Sequence, residues 1–159
     1  MARVVTFLFL FLFSCTTSKQ LVEKNNESFN TLFFNTVTKD IKFSSFDENQ
    51  INISGERLIL DWFNEHIKTN GLDGSLNILV SNLENKVDRK EDYFKVTANI
   101  SMQFNLVSNT LTSKKSFNLS ASEFSEIFGK FSISDQENLS ENTMKAALKK
   151  ISMELNNLN

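Results

Sequence analysis

The sequence predicts an α+β fold, a two-layer sandwich whose antiparallel sheet, a three-strand meander plus an N-terminal strand, is covered on one face by two helices. Three observations carry this. From Phe94 to Leu106 every second residue is apolar, and Lys95, Thr97, Asn99, Ser101, Gln103 and Asn105 fill the positions between, so one face of a long strand is core and the other wet. Two segments, 54–69 and 135–158, instead repeat their apolar residues at helical spacing. The stretches NKVDRKED and SNT, short and polar, join the long strand to its sequence neighbours, which favours antiparallel pairing.

The chain begins with an apolar run, Val4 to Phe13, interrupted only by Thr6. Roughly 20 apolar residues are needed to cross a ~30 Å hydrocarbon core, so the run is too short to span. Phe and Leu alternate in it, but both are apolar, so it has no wet face and does not read as an amphipathic strand. Arg3 precedes it and the small residues Ser14 and Cys15 follow, which is the order of a secretory signal. The stretch Leu12-Phe13-Ser14-Cys15 resembles the lipobox of bacterial lipoproteins. That resemblance implies cleavage before Cys15 and a diacylglycerol thioether on its sulfur. An ordinary cleaved signal, an uncleaved anchor and a buried strand are the competing readings of the segment. Cys15 is the single cysteine, so no intramolecular disulfide can form, and the lipid reading accounts for the lone thiol.

The expected organisation is a signal peptide over 1–14, a lipidated tether over 15–28 and one domain over 29–159. The tether, TTSKQLVEKNNES after the cysteine, is polar. FNTLFFNTV (29–37) is ambiguous between helix and strand, and DIKFSSF (40–46), with Ile41 and Phe43 alternating, reads as a strand. Ser54 is the expected N-cap of the first helix, Glu56 complements its first turn, Lys68 its last, and Gly71 is its stop. Leu58, Ile59, Trp62, Phe63 and Ile67 form its apolar stripe. Leu76, Ile78 and Val80 mark the strand before the long one, and Phe117 and Leu119 the strand after it. Ser120 with Glu123 predicts a second helix start, a short apolar turn carrying Phe124, Ile127, Phe128 and Phe131. Ser134 with Glu137 predicts a third, opening a helix with Met144, Ala147, Leu148, Ile151, Leu155 and Leu158 on its buried stripe.

Lengths agree with this arrangement. The alternating strand is roughly 43 Å long at ~3.3 Å per residue, the C-terminal helix about 36 Å and the first helix about 24 Å at ~1.5 Å per residue.

The formal charge is −2, one unit more negative once Arg3 is lost, and no basic footprint for nucleic acid exists. No catalytic constellation appears. His66, the only histidine, sits at the edge of the first helix's stripe, where a boundary residue is the plain reading. Gly55, Gly71, Gly74 and Gly129 make no phosphate loop. Glu84, Asp88, Glu91 and Asp92 gather at one hairpin but are interleaved with Lys86, Arg89 and Lys90, as in a solvated loop and not a metal site. The expectation is therefore a non-enzyme without cofactor or metal.

Two surfaces are candidates for binding. Thr97, Asn99, Ser101, Gln103 and Asn105 offer hydrogen bonds without desolvating charge, although an ordinary polar sheet face looks the same. Lys86, Arg89 and Lys90, with Lys114 and Lys115 beyond the next turn, are candidates for lipid or lipopolysaccharide phosphates.

The order strand, helix, three-strand meander, C-terminal helix behind a lipobox, over residues 40–158, is similar to the lipopolysaccharide-assembly lipoprotein family LptE. This resemblance implies an α/β sandwich that plugs the lumen of an outer-membrane β-barrel, where an uncharged polar sheet face would suit a polar interior. Thr16 after the cysteine resembles lipoproteins sent to the outer membrane. The expected function is that of a lipid-anchored envelope lipoprotein, an assembly factor or adaptor for an outer-membrane β-barrel or lipopolysaccharide, held at the periplasmic face. A periplasmic lipid- or glycan-binding module and a purely structural lipoprotein are the alternatives.

Overall fold

The computed structural model describes residues 29–44, 53–110 and 113–158. Cys15 and the leader and tether proposed around it lie outside these residues. In chain order the elements are β1 (Leu32–Phe34), β2 (Thr38–Phe43), α1 (Ile53–His66), β3 (Ile67–Thr69), β4 (Ser75–Lys90), β5 (Tyr93–Ser108), β6 (Ser113–Phe128) and α2 (Ile133–Leu158). The main sheet has the order β2-β4-β5-β6, with β4, β5 and β6 antiparallel. β2 joins at the edge, parallel to β4, so the sheet is mixed. A parallel neighbour requires a crossover, and α1 lies in the connection between β2 and β4. β1 and β3 form a separate two-stranded parallel ribbon, which resolves the ambiguity over 29–37 as strand.

The two-layer α+β architecture is the predicted one. Along β5, Phe94, Val96, Ala98, Ile100, Met102 and Phe104 are all buried, alternating with half-buried polar residues. From α1 come Ile59, Trp62 and Phe63, and from α2 Met144, Ala147, Leu148, Ile151 and Leu155, all in one core with the sheet. Full burial of a large apolar side chain contributes about 1.5–3 kcal/mol, so this stripe-on-strand contact dominates the stability. A smaller cluster of Phe94, Val96, Ile127 and Leu139, with Phe131 against it, closes the far end.

Four local expectations are corrected. First, α1 does not run to residue 69. It ends at His66, and Ile67, fully buried, starts β3 opposite Leu32. The tertiary pairing of this short strand overrides helical continuation. Two of the freed helix carbonyls are taken up by lysines: Lys39 Nζ donates to Phe63 O (2.9 Å), and also to Ile67 O of β3 (2.5 Å), and Lys68 Nζ donates to Asn64 O (2.8 Å). Burial, and then the charge of Lys68, lower the pKa of Lys39. Ser54, the expected cap, lies inside the helix.

Second, NKVDRKED is not a loop. β4 continues through Lys90 and the turn is confined to Glu91 and Asp92, because β5 offers a pairing partner for every residue back to Tyr93. Third, the segment opened by Ser120 and Glu123 is strand throughout. β6 pairs residue by residue with β5 from Ser113 to Phe128, and Phe124 and Phe128 are exposed (59% and 68%), not part of an apolar turn. Fourth, α2 starts two residues earlier than expected, at Ile133. Ser132 is its cap, with Asp135 N donating to Ser132 Oγ (3.1 Å) and Ser132 N donating to Asp135 Oδ2 (2.8 Å), a reciprocal box built with aspartate. At its other end Leu158 is 49% exposed and lies off the buried stripe.

The turn before β4 holds the sheet end together. Gly74 has φ 82°, and a Cβ there would run into the carbonyl oxygen of Val107, so only glycine allows this approach. Beside it, Asp73 Oδ2 accepts from Ser108 Oγ (2.7 Å) and Thr110 N (2.9 Å). These donors, the Thr110 backbone first and the Ser108 hydroxyl next, lower the Asp73 pKa from 3.8 to about 2. A depressed carboxylate pKa contributes stability above its unfolded value, lost as pH falls through the folded one. Chemical denaturation at stepped pH is therefore expected to show stability declining from pH 3.8 towards about 2, and Asp73→Asn is expected to remove that part of the slope while lowering stability at neutral pH.

Candidate functional site: the uncovered sheet face

Helices cover one face of the sheet, and the other carries the residues between the core positions. Register brings rows from all four strands together on it. Thr97, Asn99, Ser101, Gln103 and Asn105 of β5 are central. Asn77, Leu79, Asn82, Glu84 and Lys86 of β4 lie on one side, with Asp40 and Lys42 of β2 beyond them, and Ser116, Asn118, Ser120, Ser122 and Phe124 of β6 on the other. The five residues expected from the sequence thus share one face. The β6 row was missed, because reading 120–131 as helix hid its alternation. The signal was present in Ser116, Asn118, Ser120 and Ser122, polar at every second position around Phe117, Leu119 and Ala121.

The rows are cross-linked by side chains. Ser122 Oγ donates to Asn99 Oδ1 (2.7 Å), Ser116 Oγ to Asn105 Oδ1 (2.8 Å) and Ser120 Oγ to Ser101 Oγ (2.9 Å). Asn99 Nδ2 donates to Glu84 Oε2 (3.1 Å). A β-bulge in β4 between Val80 and Asn82 turns Ser81 outward, and its hydroxyl donates to Ser101 O (3.2 Å). Hydroxyls and amides keep spare donor and acceptor capacity after one such bond, so the lattice orients these groups while leaving them able to bind. Towards the turn at 91–92 the face changes character. Lys95 lies 4.3 Å over the Phe124 ring, and the Tyr93 and Phe128 rings are 5.2 Å apart.

The five candidate cations are not brought together. Lys86 and Lys90 lie on the open face near the turn, opposite Thr97 and Tyr93, and Lys86 pairs with Glu84 at 3.4 Å. Arg89 is opposite Phe94, on the helix side. Lys114 and Lys115 pair with Val107 and Leu106 at the other end of β5, and on opposite faces. Thr97 and Leu106 are roughly 30 Å apart at ~3.4 Å per residue, so these side chains do not form one anion site.

A second concave feature lies between the helices. A cleft of about 450 Å³ is lined by Phe29, Arg57, Trp62, Glu65, His66 and Lys145 among others. Trp62 Nε1 and His66 Nδ1 are buried without a hydrogen-bond partner. An unmet buried donor costs about 1–3 kcal/mol, which a ligand acceptor would recover. His66 is at the helix edge as expected, its ring 5.3 Å from that of Phe29. No helix among the described residues is long and apolar enough to cross a membrane.

No protein-family model and no curated protein matches the chain. Among solved structures it is similar to a minor lipoprotein from Acinetobacter baumannii, with 7% identity over 74% of this chain and 89% of that one and a TM-score of 0.44. It is similar also to a protein from Xanthomonas campestris of the family DUF330, with 13% identity over 82% and 85% and a TM-score of 0.42. A third, the rare lipoprotein B from Shewanella oneidensis, has 9% identity over 77% and 98% and a TM-score of 0.34. Likenesses at these scores carry no functional argument.

Since the lattice bonds are exposed and their groups can turn to water, each contributes little to folding. Ser120→Ala and Ser122→Ala are each expected to shift stability by less than about 1 kcal/mol in urea denaturation.

Proposed function

We propose that this chain is a non-enzymatic, lipid-anchored lipoprotein of the cell envelope that acts as an assembly factor or adaptor for an outer-membrane β-barrel. The observation that carries the reading is the helix-free sheet face, whose central rows on β5 and β6 are neutral amides and hydroxyls. Such a face docks on another polar surface without the cost of stripping water from charges, and the lumen of an outer-membrane barrel is polar. The signal-like run ending at Cys15, and the resemblance of Leu12-Phe13-Ser14-Cys15 to a lipobox, support the anchor. Thr16 supports the outer membrane as its destination.

Two measurements test this. Purification of the native anchored protein in mild detergent is expected to bring down a β-barrel protein, and Ser101→Glu with Gln103→Lys on the open face is expected to lose it without unfolding the domain. Recovery of lipid alone, or a barrel retained by the double variant, overturns the adaptor reading. Cys15→Ala is expected to move the chain from the membrane to the soluble fraction, and unchanged membrane retention overturns the lipid anchor.

A second reading, a lipid- or glycan-binding module, is favoured by the cleft with its unpartnered Trp62 Nε1 and His66 Nδ1. Trp62, the only tryptophan, lines this cleft from the core, so its fluorescence responds to what binds there. Saturable change in that emission on titration with lipopolysaccharide or peptidoglycan fragments, lost in His66→Ala, is the outcome of this reading. A flat titration removes it.

A further inference from the structure

β6 is an edge. The elements packed against it are β5, hydrogen-bonded along its inner side, and α2 on its helix face. Among the described residues no strand pairs with its outer row of N–H and C=O groups. Native edges of this kind are usually blunted by a bulge, a proline or a short strand. β6 has none of these: it runs from Ser113 to Phe128 in unbroken register with β5, and the chain contains no proline. Its charges are confined towards its ends, Lys114 and Lys115 at one and Glu123 and Glu126 at the other, with an uncharged stretch from Ser116 to Ser122 between them.

We infer that β6 pairs antiparallel with β6 of a second copy of this chain, about a two-fold axis at Ser120, to form one eight-stranded sheet. The register follows from the faces and the charges. Even-numbered residues of β6 lie on the open face and odd-numbered ones on the helix face. Two copies keep their faces aligned only if residues of like parity stand opposite one another. An axis at Ser120 places Lys114 of each copy opposite Glu126 of the other and uses nearly the whole strand. Moving the axis to Leu119 leaves Lys114 opposite Phe124 and brings Lys115 to Glu123, which already pairs with Lys150. Moving it to Ala121 places both lysines opposite Ile127 and Phe128 and leaves the charges unmatched. Parallel pairing in register sets lysine against lysine. A closed barrel has no free strand edge to offer, so the complementary edge is that of a second copy.

The open faces of the two copies then lie on the same side, and the shared sheet is the form of the free protein. Seating one domain inside a barrel requires the pair to part. The inference stands on the geometry of β6 and holds or fails independently of the anchor and of the barrel partner.

Cysteine cross-linking of the full chain in mild detergent tests it, with the parent chain, bearing Cys15 alone, as the control. Directly opposed antiparallel residues have Cα atoms roughly 4.5–5.5 Å apart, within the range a disulfide spans. Ser120→Cys is expected to give a disulfide-linked dimer on mild oxidation. Ser116→Cys, displaced along the strand from its own symmetry mate, is expected to give none. Both sites are exposed, and circular dichroism checks that each variant is folded. In sedimentation equilibrium, Glu126→Lys is expected to weaken self-association about tenfold, and Lys114→Glu added to it to restore the affinity. A folded chain that stays monomeric at all concentrations, or cross-links equally at 116 and 120, overturns the inference.

Discussion

Strand β5 is hydrogen-bonded on both sides along its length, and the two layers exist because its side chains sort without exception from Phe94 to Phe104. Each inward residue of β5 stands in a cross-strand row with a residue of β4 and one of β6. The row Ile78, Phe104, Phe117 and the row Val80, Met102, Leu119 are the floor of the core. The Phe104 and Phe117 rings stack at 5.2 Å within the first of these. Because the side-chain period is two, a slip of one residue would send all of this floor to solvent, so β5 fixes the register of both neighbours at once. The helices settle on what β5 presents: their apolar stripes have no other surface of that length to cover.

This dependence explains what the sequence made legible and what it did not. The β5 alternation and the α1 and α2 stripes are local patterns whose burial is decided within the segment, so they could be read directly. The ends of β4 and β6 are different. The segment from Lys86 to Lys90 is polar and charged except for Val87 and has no period of its own, and Ser120 to Phe128 carries a helix-start signal as good as a real one. Both are strand because β5 holds a full row of partners for them, a cooperative effect that a window of sequence does not contain. The same applies to α1, cut short at His66 by the pairing of Ile67 with Leu32, residues far apart in the chain. Of the candidate site, the five β5 residues were legible for the reason β5 was. The Ser116, Asn118, Ser120 and Ser122 row was not, since its alternation was masked by the capping signal.

The open face shows a second physical regularity. Its charged residues border it, Glu84, Lys86, Asp88, Lys95 and Glu126 towards the turn at 91–92, Asp40 and Lys42 along the β2 edge and Lys114 at the far end, while its middle is neutral on β5 and β6. Solvent alone does not demand this, since charged side chains are at least as soluble as serine and asparagine. Charges on a surface that docks must be dehydrated or paired, whereas a hydroxyl exchanges water for another hydrogen bond at small net cost. A neutral band bordered by charges is therefore suited to contact in its middle and to orientation at its end. The aromatic rings of Tyr93, Phe124 and Phe128 add apolar contact area where the band meets the charges.

The two edges of the sheet are managed by different means, and the contrast bears on how the domain meets its surroundings. At β2 the edge is short, and Ser44, just beyond it, is tied back by Ser44 N donating to Val80 O at 2.9 Å. At β6 the edge is long and regular, and its defence is electrostatic. Charges placed towards the ends of a strand discourage arbitrary partners, because most registers leave a lysine or a glutamate facing an apolar residue or its own kind. The same placement leaves an antiparallel arrangement in which lysine meets glutamate at both ends and serine faces serine at the centre. A pattern that excludes strangers while remaining complementary to itself combines protection with specificity, and it requires only that the charges at the two ends have opposite sign, as Lys114 and Glu126 do.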